Sequence, residues 1–91
     1  MYVSSAVLTF YIPQAVSLKA KRQVRRSIIE KTRHKFNVSI AEVDTQDVIQ
    51  TLTVGIAVVS GEVAFCQKAL DEVIRFIETH ADAELTAVEE R

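Results

Sequence analysis

Tryptophan is absent, and there is one proline, one cysteine and one methionine among 91 residues. One cysteine excludes an internal disulfide framework and any zinc site built on cysteine pairs. Cys66 falls on an apolar helical face, where it reads as a small buried hydrophobe rather than a reactive thiol. Two glycines and one proline leave little room for linkers or low-complexity chain. Long apolar runs are missing as well. Eighteen uncharged residues open the chain, but Pro13 interrupts them and Ser4, Ser5, Thr9 and Gln14 dilute them. That stretch is too broken for a membrane span. Its first charge, Lys19, follows the apolar part, the reverse of a secretory signal. The expected location is the cytoplasm.

What is present is a core. Hydrophobic residues make up 48% of the chain, enough for one domain spanning residues 1–91, and the length leaves no room for two. From Tyr2 to Ile12 the sequence alternates. Ala6, Leu8, Phe10 and Ile12 point one way and Ser5, Val7, Thr9 and Tyr11 the other, the period of a strand. Pro13 closes it. Ser17 is placed to cap a helix running to about Lys35, with Leu18, Val24, Ile28, Thr32 and Phe36 on one face. Asn37 is suited to end that helix in a left-handed conformation.

Val38 to Val43 reads as a second strand, and the segment Asp44-Thr45-Gln46-Asp47 supplies turn chemistry. Ile49 to Val59 reads as a third, with Leu52, Val54, Ile56 and Val58 facing inward. Strands this close in sequence form an antiparallel hairpin. Gly55, in mid-strand, points to close packing or a bulge. Ser60-Gly61 breaks the chain, with Ser60 a candidate cap. A second helix then runs from about Glu62 to Thr79, its core face made by Val63, Cys66, Leu70, Val73 and Ile77. Phe65, Ala69 and Phe76 flank that face, and packing against the first helix is their expected use. A last strand covers Ala83 to Glu89.

The order β-α-β-β-α-β predicts an α+β domain of the ferredoxin-like kind: a four-stranded antiparallel sheet with both helices on one face. The other face, carrying Val7, Thr9, Tyr11, Thr51, Thr53 and Ala57, is left open, and it is the candidate surface for self-association.

Charge is distributed unevenly. Residues 19–35 hold eight of the eleven Lys and Arg and one acid, Glu30, for a net +7; the remainder holds three bases and eleven acids, a net −8. On a helical wheel Lys19, Arg22, Arg26 and Arg33 fall within about 60° of one another. Like charges at i and i+4, such as Arg22 and Arg26, cost roughly 0.2–0.5 kcal/mol per pair. Cations in a first helical turn also oppose the helix dipole. The folded monomer gains nothing local from the stripe, whereas a polyanion would use it, so these four residues are the candidate nucleic-acid contacts. The bland alternative is a solvated face neutralised by Glu62, Asp71, Glu72 and Glu78 of the second helix. Lys21 and Arg25 fall near Ile28 and Thr32 on the wheel and are expected to snorkel at the core edge.

Catalytic chemistry is not in view. His34 and His80 are isolated in the sequence, on different helices, without ligand-like spacing. There is no glycine-rich phosphate loop. Glu42, Asp44 and Asp47 cluster at a turn, where turn-forming Asp is the ordinary explanation, and no nucleophile completes a site. The open sheet face lacks the paired aromatics of RNA-stacking sheets, Tyr11 being the one candidate. No catalytic residue, cofactor or metal is expected.

From Ser17-Leu18-Lys19-Ala20-Lys21-Arg22 onward the sequence resembles the YlxP-like family of small bacterial proteins. The likeness continues through Phe36-Asn37-Val38-Ser39, Ala41-Glu42-Val43, Gln46-Asp47, Gln50, Gly55 and Val58-Val59-Ser60. It implies a ferredoxin-like fold and a bacterial cytoplasmic protein. Members are often encoded beside translation initiation factor two and ribosome-binding factor A, which implies a link to translation by association. Many relatives carry an acid where this chain has Ala20, and a His and a Trp where it has Thr45 and Ile49. The resemblance brings no activity and no catalytic residue.

Two functions follow as expectations. The first is a non-enzymatic protein that binds RNA or a ribosomal subunit through the basic first helix. The alternative is a regulatory or structural homo-oligomer joined through the open sheet face, with a small ligand at the interface. An acylphosphatase-like enzyme on the same fold ranks third, because its phosphate-cradling loop has no match here.

Overall fold

The computed structural model describes all 91 residues. The elements run β1 (Tyr2–Tyr11), α1 (Leu18–Lys35), β2 (Ser39–Asp44), β3 (Thr51–Ser60), α2 (Val63–His80) and β4 (Glu84–Glu90). The strands form one antiparallel sheet in the order β2-β3-β1-β4. This is the ferredoxin-like arrangement, with β2 and β4 as its two edges.

Alternation in the strands sets which face meets the helices. Ala6, Leu8 and Phe10 of β1 pair with Ile56, Val54 and Leu52 of β3, and all six are buried. They meet Ile28 of α1 and Cys66, Leu70, Val73 and Ile77 of α2 in one core of fifteen residues. The register is the one the alternation predicts. A slip of one residue would have buried Val7 and Thr9 instead. Cys66 is enclosed, its Sγ 3.3 Å from the carbonyl of Val58.

Several boundaries differ from the sequence reading. Helix α1 does not end on a left-handed Asn37. Phe36 terminates it in an extended conformation, with its N–H donating to the Thr32 carbonyl. Positive φ falls at Thr45 instead, at 63°. Val48 and Ile49 are exposed and precede β3, which begins at Thr51. The N-cap of α2 is Glu62, without a side-chain bond. Ser60 acts two residues earlier, its Oγ accepting the N–H of Glu62. Gly55 satisfies both readings of a mid-strand glycine. The ladder shifts register on the partner strand between Glu42 and Asp44, and the intervening Val43 folds over Gly55. A Cβ at position 55 would stand 2.7 Å from Val43 Cγ1.

Candidate nucleic-acid interface

Ser17 starts α1 as an N-cap, its Oγ accepting the N–H of Ala20 at 3.1 Å. Eighteen residues then give a rod of about 27 Å at 1.5 Å per residue. Ile28 and Thr32 bury one face, while Leu18, Val24 and Ile29 are half-buried. Helix α2 lies on one side of this buried face and β2 on the other. Toward β2, Arg25 Nη1 lies 3.3 Å from Glu42 and Arg33 Nη2 donates to the Ile40 carbonyl at 2.9 Å.

The eight cations of α1 divide into two groups. Lys21 is 1% exposed, so it does not snorkel; it enters the interior. Its Nζ lies 2.9 Å from Glu42 Oε2 and donates to the carbonyls of Val48, at 2.6 Å, and Thr45. The Glu42 side chain is itself only 5% exposed and takes Arg25 on its other oxygen. Glu42 therefore belongs to a buried charge cluster on β2 and not to the turn. Asp44 does act in the turn, its Oδ1 accepting the N–H of Thr45. Thr45 Oγ1 accepts the N–H of Thr53 at 3.0 Å, which compensates its unfavourable backbone conformation.

The cluster straps the β2–β3 connection to α1, and no buried side-chain nitrogen or oxygen is left unpartnered. The residues behind the family resemblance take part in this strapping. Ser17 caps α1, Lys21 and Glu42 pair, Val43 covers Gly55, and Gln50 Nε2 donates to the carbonyls of Pro13 and Ala15.

The second group stays outside. Lys19, Arg22, Arg26, Lys31, Arg33 and Lys35 are exposed, against one exposed acid, Glu30. No carboxylate lies within 4.0 Å of any of the six; the ion pairs are Lys21 and Arg25 with Glu42, and Arg91 with Glu89. No carboxylate of α2 forms an ion pair with them, although Glu72 shares a groove with Lys35 at the far end of the helices. Asp71 and Glu78 turn the other way and line a groove with Val88 and Glu90 of β4. Of the four candidate contacts, Lys19, Arg22 and Arg26 are free. Arg33 gives one N–H to Ile40 and has four left to donate. Together they form a basic flank beside β2 with no internal counterion.

At the far end of the helices the structure joins residues distant in sequence. Glu30, Lys31, His34, Lys35, Phe76 and His80 line an open groove of about 650 Å³. The Phe76 and His80 rings stack at 4.3 Å, and Phe36 meets Phe76 edge-on at 5.4 Å. Phe76 thus packs toward α1 as expected and Ala69 packs against the core, whereas Phe65 stays exposed. Lys35 Nζ lies 5.0 Å from the Phe76 ring centre. Cations here complement the negative ends of both helix dipoles, a sufficient structural reason for them. The two histidines share this groove, but no cluster of three metal-ligating side chains exists in the chain.

On the open sheet face, Val7, Thr9, Thr51 and Ala57 are half-buried and Tyr11 is exposed. Thr53, between Thr9 and Asp44 in the ladder, is nearly closed off. Val3, Val43 and Val59 are the exposed apolar residues around them. No helix is long and apolar enough to cross a membrane.

A ferredoxin-like sandwich with a basic flank that forms no ion pair within the chain defines the class of protein. Within it, the chain belongs to the family described as "Protein of unknown function (DUF503)", whose model matches residues 3–90. A curated relative is the "Uncharacterized protein YlxP" of Bacillus subtilis (strain 168), 41% identical over 75 residues, with 82% of each chain covered.

Proposed function

We propose that the chain is a non-enzymatic cytoplasmic protein that binds RNA, free or within a ribosomal subunit, through the outer flank of α1. The observation that carries this reading is the absence of any carboxylate beside Lys19, Arg22 and Arg26, which are exposed and share one stripe with Arg33. Like charges in a helix repel, so the stripe costs the monomer stability unless a polyanion occupies it. Phosphate contacts position a protein without reading sequence, which suits a surface of arginines and lysine with no aromatic platform beside it. The test is sedimentation of tagged protein with ribosomal subunits. Co-sedimentation at low salt and release at high salt supports the reading. No association at low salt contradicts it.

A second reading rests on the sheet face. Val3, Tyr11, Val43 and Val59 are exposed there, around Val7, Thr9, Thr51 and Ala57. A homodimer joined through that face would cover them and could enclose a small ligand. Such a dimer would be insensitive to salt and would dissociate on Tyr11→Asp.

A further inference from the structure

The positive flank has a counterpart within the same molecule, on the opposite side. Beyond α2, Asp71, Glu78 and Glu90 rim a groove of about 330 Å³ between α2 and β4, with Ile74 and Val88 along it and Arg75 as its one cation. Gln67 bridges the two elements, donating to Asp71 Oδ1 at 3.0 Å and to Glu90 Oε1 at 2.8 Å. Because β2 and β4 are opposite edges of the sheet, the basic and acidic flanks face away from each other and cannot meet within one chain.

The spacing along the two flanks matches. Lys19, Arg26 and Arg33 recur every seven residues on α1, about 10.5 Å per step; Asp71 and Glu78 are also seven apart on α2. Ile29, half-buried, borders the basic stripe, as Ile74 and Val88 border the acids. An α1 laid along the α2–β4 groove of another molecule would bring an apolar margin onto an apolar margin, with cations of one sign pattern beside acids of the other.

We infer that a second copy of this chain docks head to tail, the Lys19–Arg26–Arg33 flank of one molecule in the Asp71–Glu78–Glu90 groove of the next. The contact is heterologous, so it propagates into a ring or an open chain and does not stop at a symmetric dimer. It uses the flank to which RNA is assigned above, so RNA and a second copy exclude one another there. The inference does not depend on RNA binding.

The test is sedimentation velocity of the nuclease-treated full chain at low and high salt. Wild type is expected to run as species larger than one chain at low salt and as a single chain at high salt. Lys19→Glu/Arg22→Glu/Arg26→Glu turns the basic flank net negative and Asp71→Lys/Glu78→Lys turns the groove net positive, so each variant carries one net sign on both flanks and alone should run as a single chain at low salt. Mixed in equal amounts, they restore opposite signs at every contact, and the larger species should return. Lys19→Gln/Arg26→Gln, a milder change at exposed positions, should also lose the larger species. A single-chain wild type at low salt overturns the inference, as do larger species that survive in both charge-reversal variants or a folded mixture that stays dissociated. RNA association is scored separately: Asp71→Lys/Glu78→Lys should retain it while losing self-association, so either reading can fail without the other.

Discussion

Lys21 ends under the β2–β3 connection, and the Glu42 carboxylate makes that position tolerable for a charge. Removing one partner of a buried ion pair leaves the other uncompensated, at a cost of about 3–5 kcal/mol. The carbonyls of Thr45 and Val48 remain as acceptors, which places Glu42→Ala near the lower end, about 3 kcal/mol. Lys21→Met replaces the buried charge with an apolar side chain of similar length and leaves Glu42 its partner Arg25. It should cost less, because the Thr45 and Val48 carbonyls are only part-buried and water reduces the roughly 1–3 kcal/mol that each would cost if fully buried and unpaired. Urea melts of the two variants check the order; a smaller loss for Glu42→Ala would mean that the carbonyls of Thr45 and Val48 hold the Lys21 ammonium unaided. Position 55 permits a test by change of sign. Gly55→Ala forces its new methyl against Val43 and should destabilise the protein. In a Val43→Ala background the obstruction is gone, and the same substitution should stabilise by about 0.5–1 kcal/mol through backbone entropy. A loss in both backgrounds would mean that Val43 is not the obstacle. At this scale the sequence was partly legible. The wheel placed Lys21 and Arg25 beside the core, but only the sheet register reveals that Glu42 comes inward to meet them.

Helix α1 serves two purposes on two sides. Its inner side supplies Ile28, Thr32 and Lys21; its outer side carries cations that no neighbour balances. Replacing Arg22 and Arg26 by Gln removes an i,i+4 repulsion, worth roughly 0.2–0.5 kcal/mol. Thermal stability should therefore hold or rise slightly, and a clear loss would assign the stripe a structural role. Ser17→Ala acts in the opposite direction, costing about 1 kcal/mol with the cap bond to Ala20, readable as a lowered melting temperature. Periodicity made the elements themselves legible, because apolar residues every second or every third and fourth position report which side is buried. Element ends were less so. Asn37 and Thr45 both follow ordered segments, and local propensity favours Asn for positive φ; the hydrogen bonds of Thr45 to Thr53 and its neighbours, invisible in the sequence, decide for Thr45.

Across the whole molecule, sheet order turns a linear charge asymmetry into a spatial one. The net charge of −1 conceals a basic flank beside β2 and an acidic flank beside β4. The sequence showed how many charges each helix carries but not that Asp71 and Glu78 turn away from α1; that follows from α2 packing between α1 and the β4 edge. Fold class, by contrast, was legible from element order, since two βαβ units in tandem leave few ways to bury both helices on one sheet. The central claim is that the α1 flank is a phosphate-binding surface. Its most direct test is the salt dependence of RNA or ribosomal-subunit binding by wild type and Arg22→Gln/Arg26→Gln. For single-stranded RNA the slope of log affinity against log salt is about −0.7 per phosphate contact, so losing two contacts should flatten it by about 1.4. Affinity should fall for RNAs of unrelated sequence alike while the protein stays folded. An unchanged slope and affinity in the folded double variant would contradict the account.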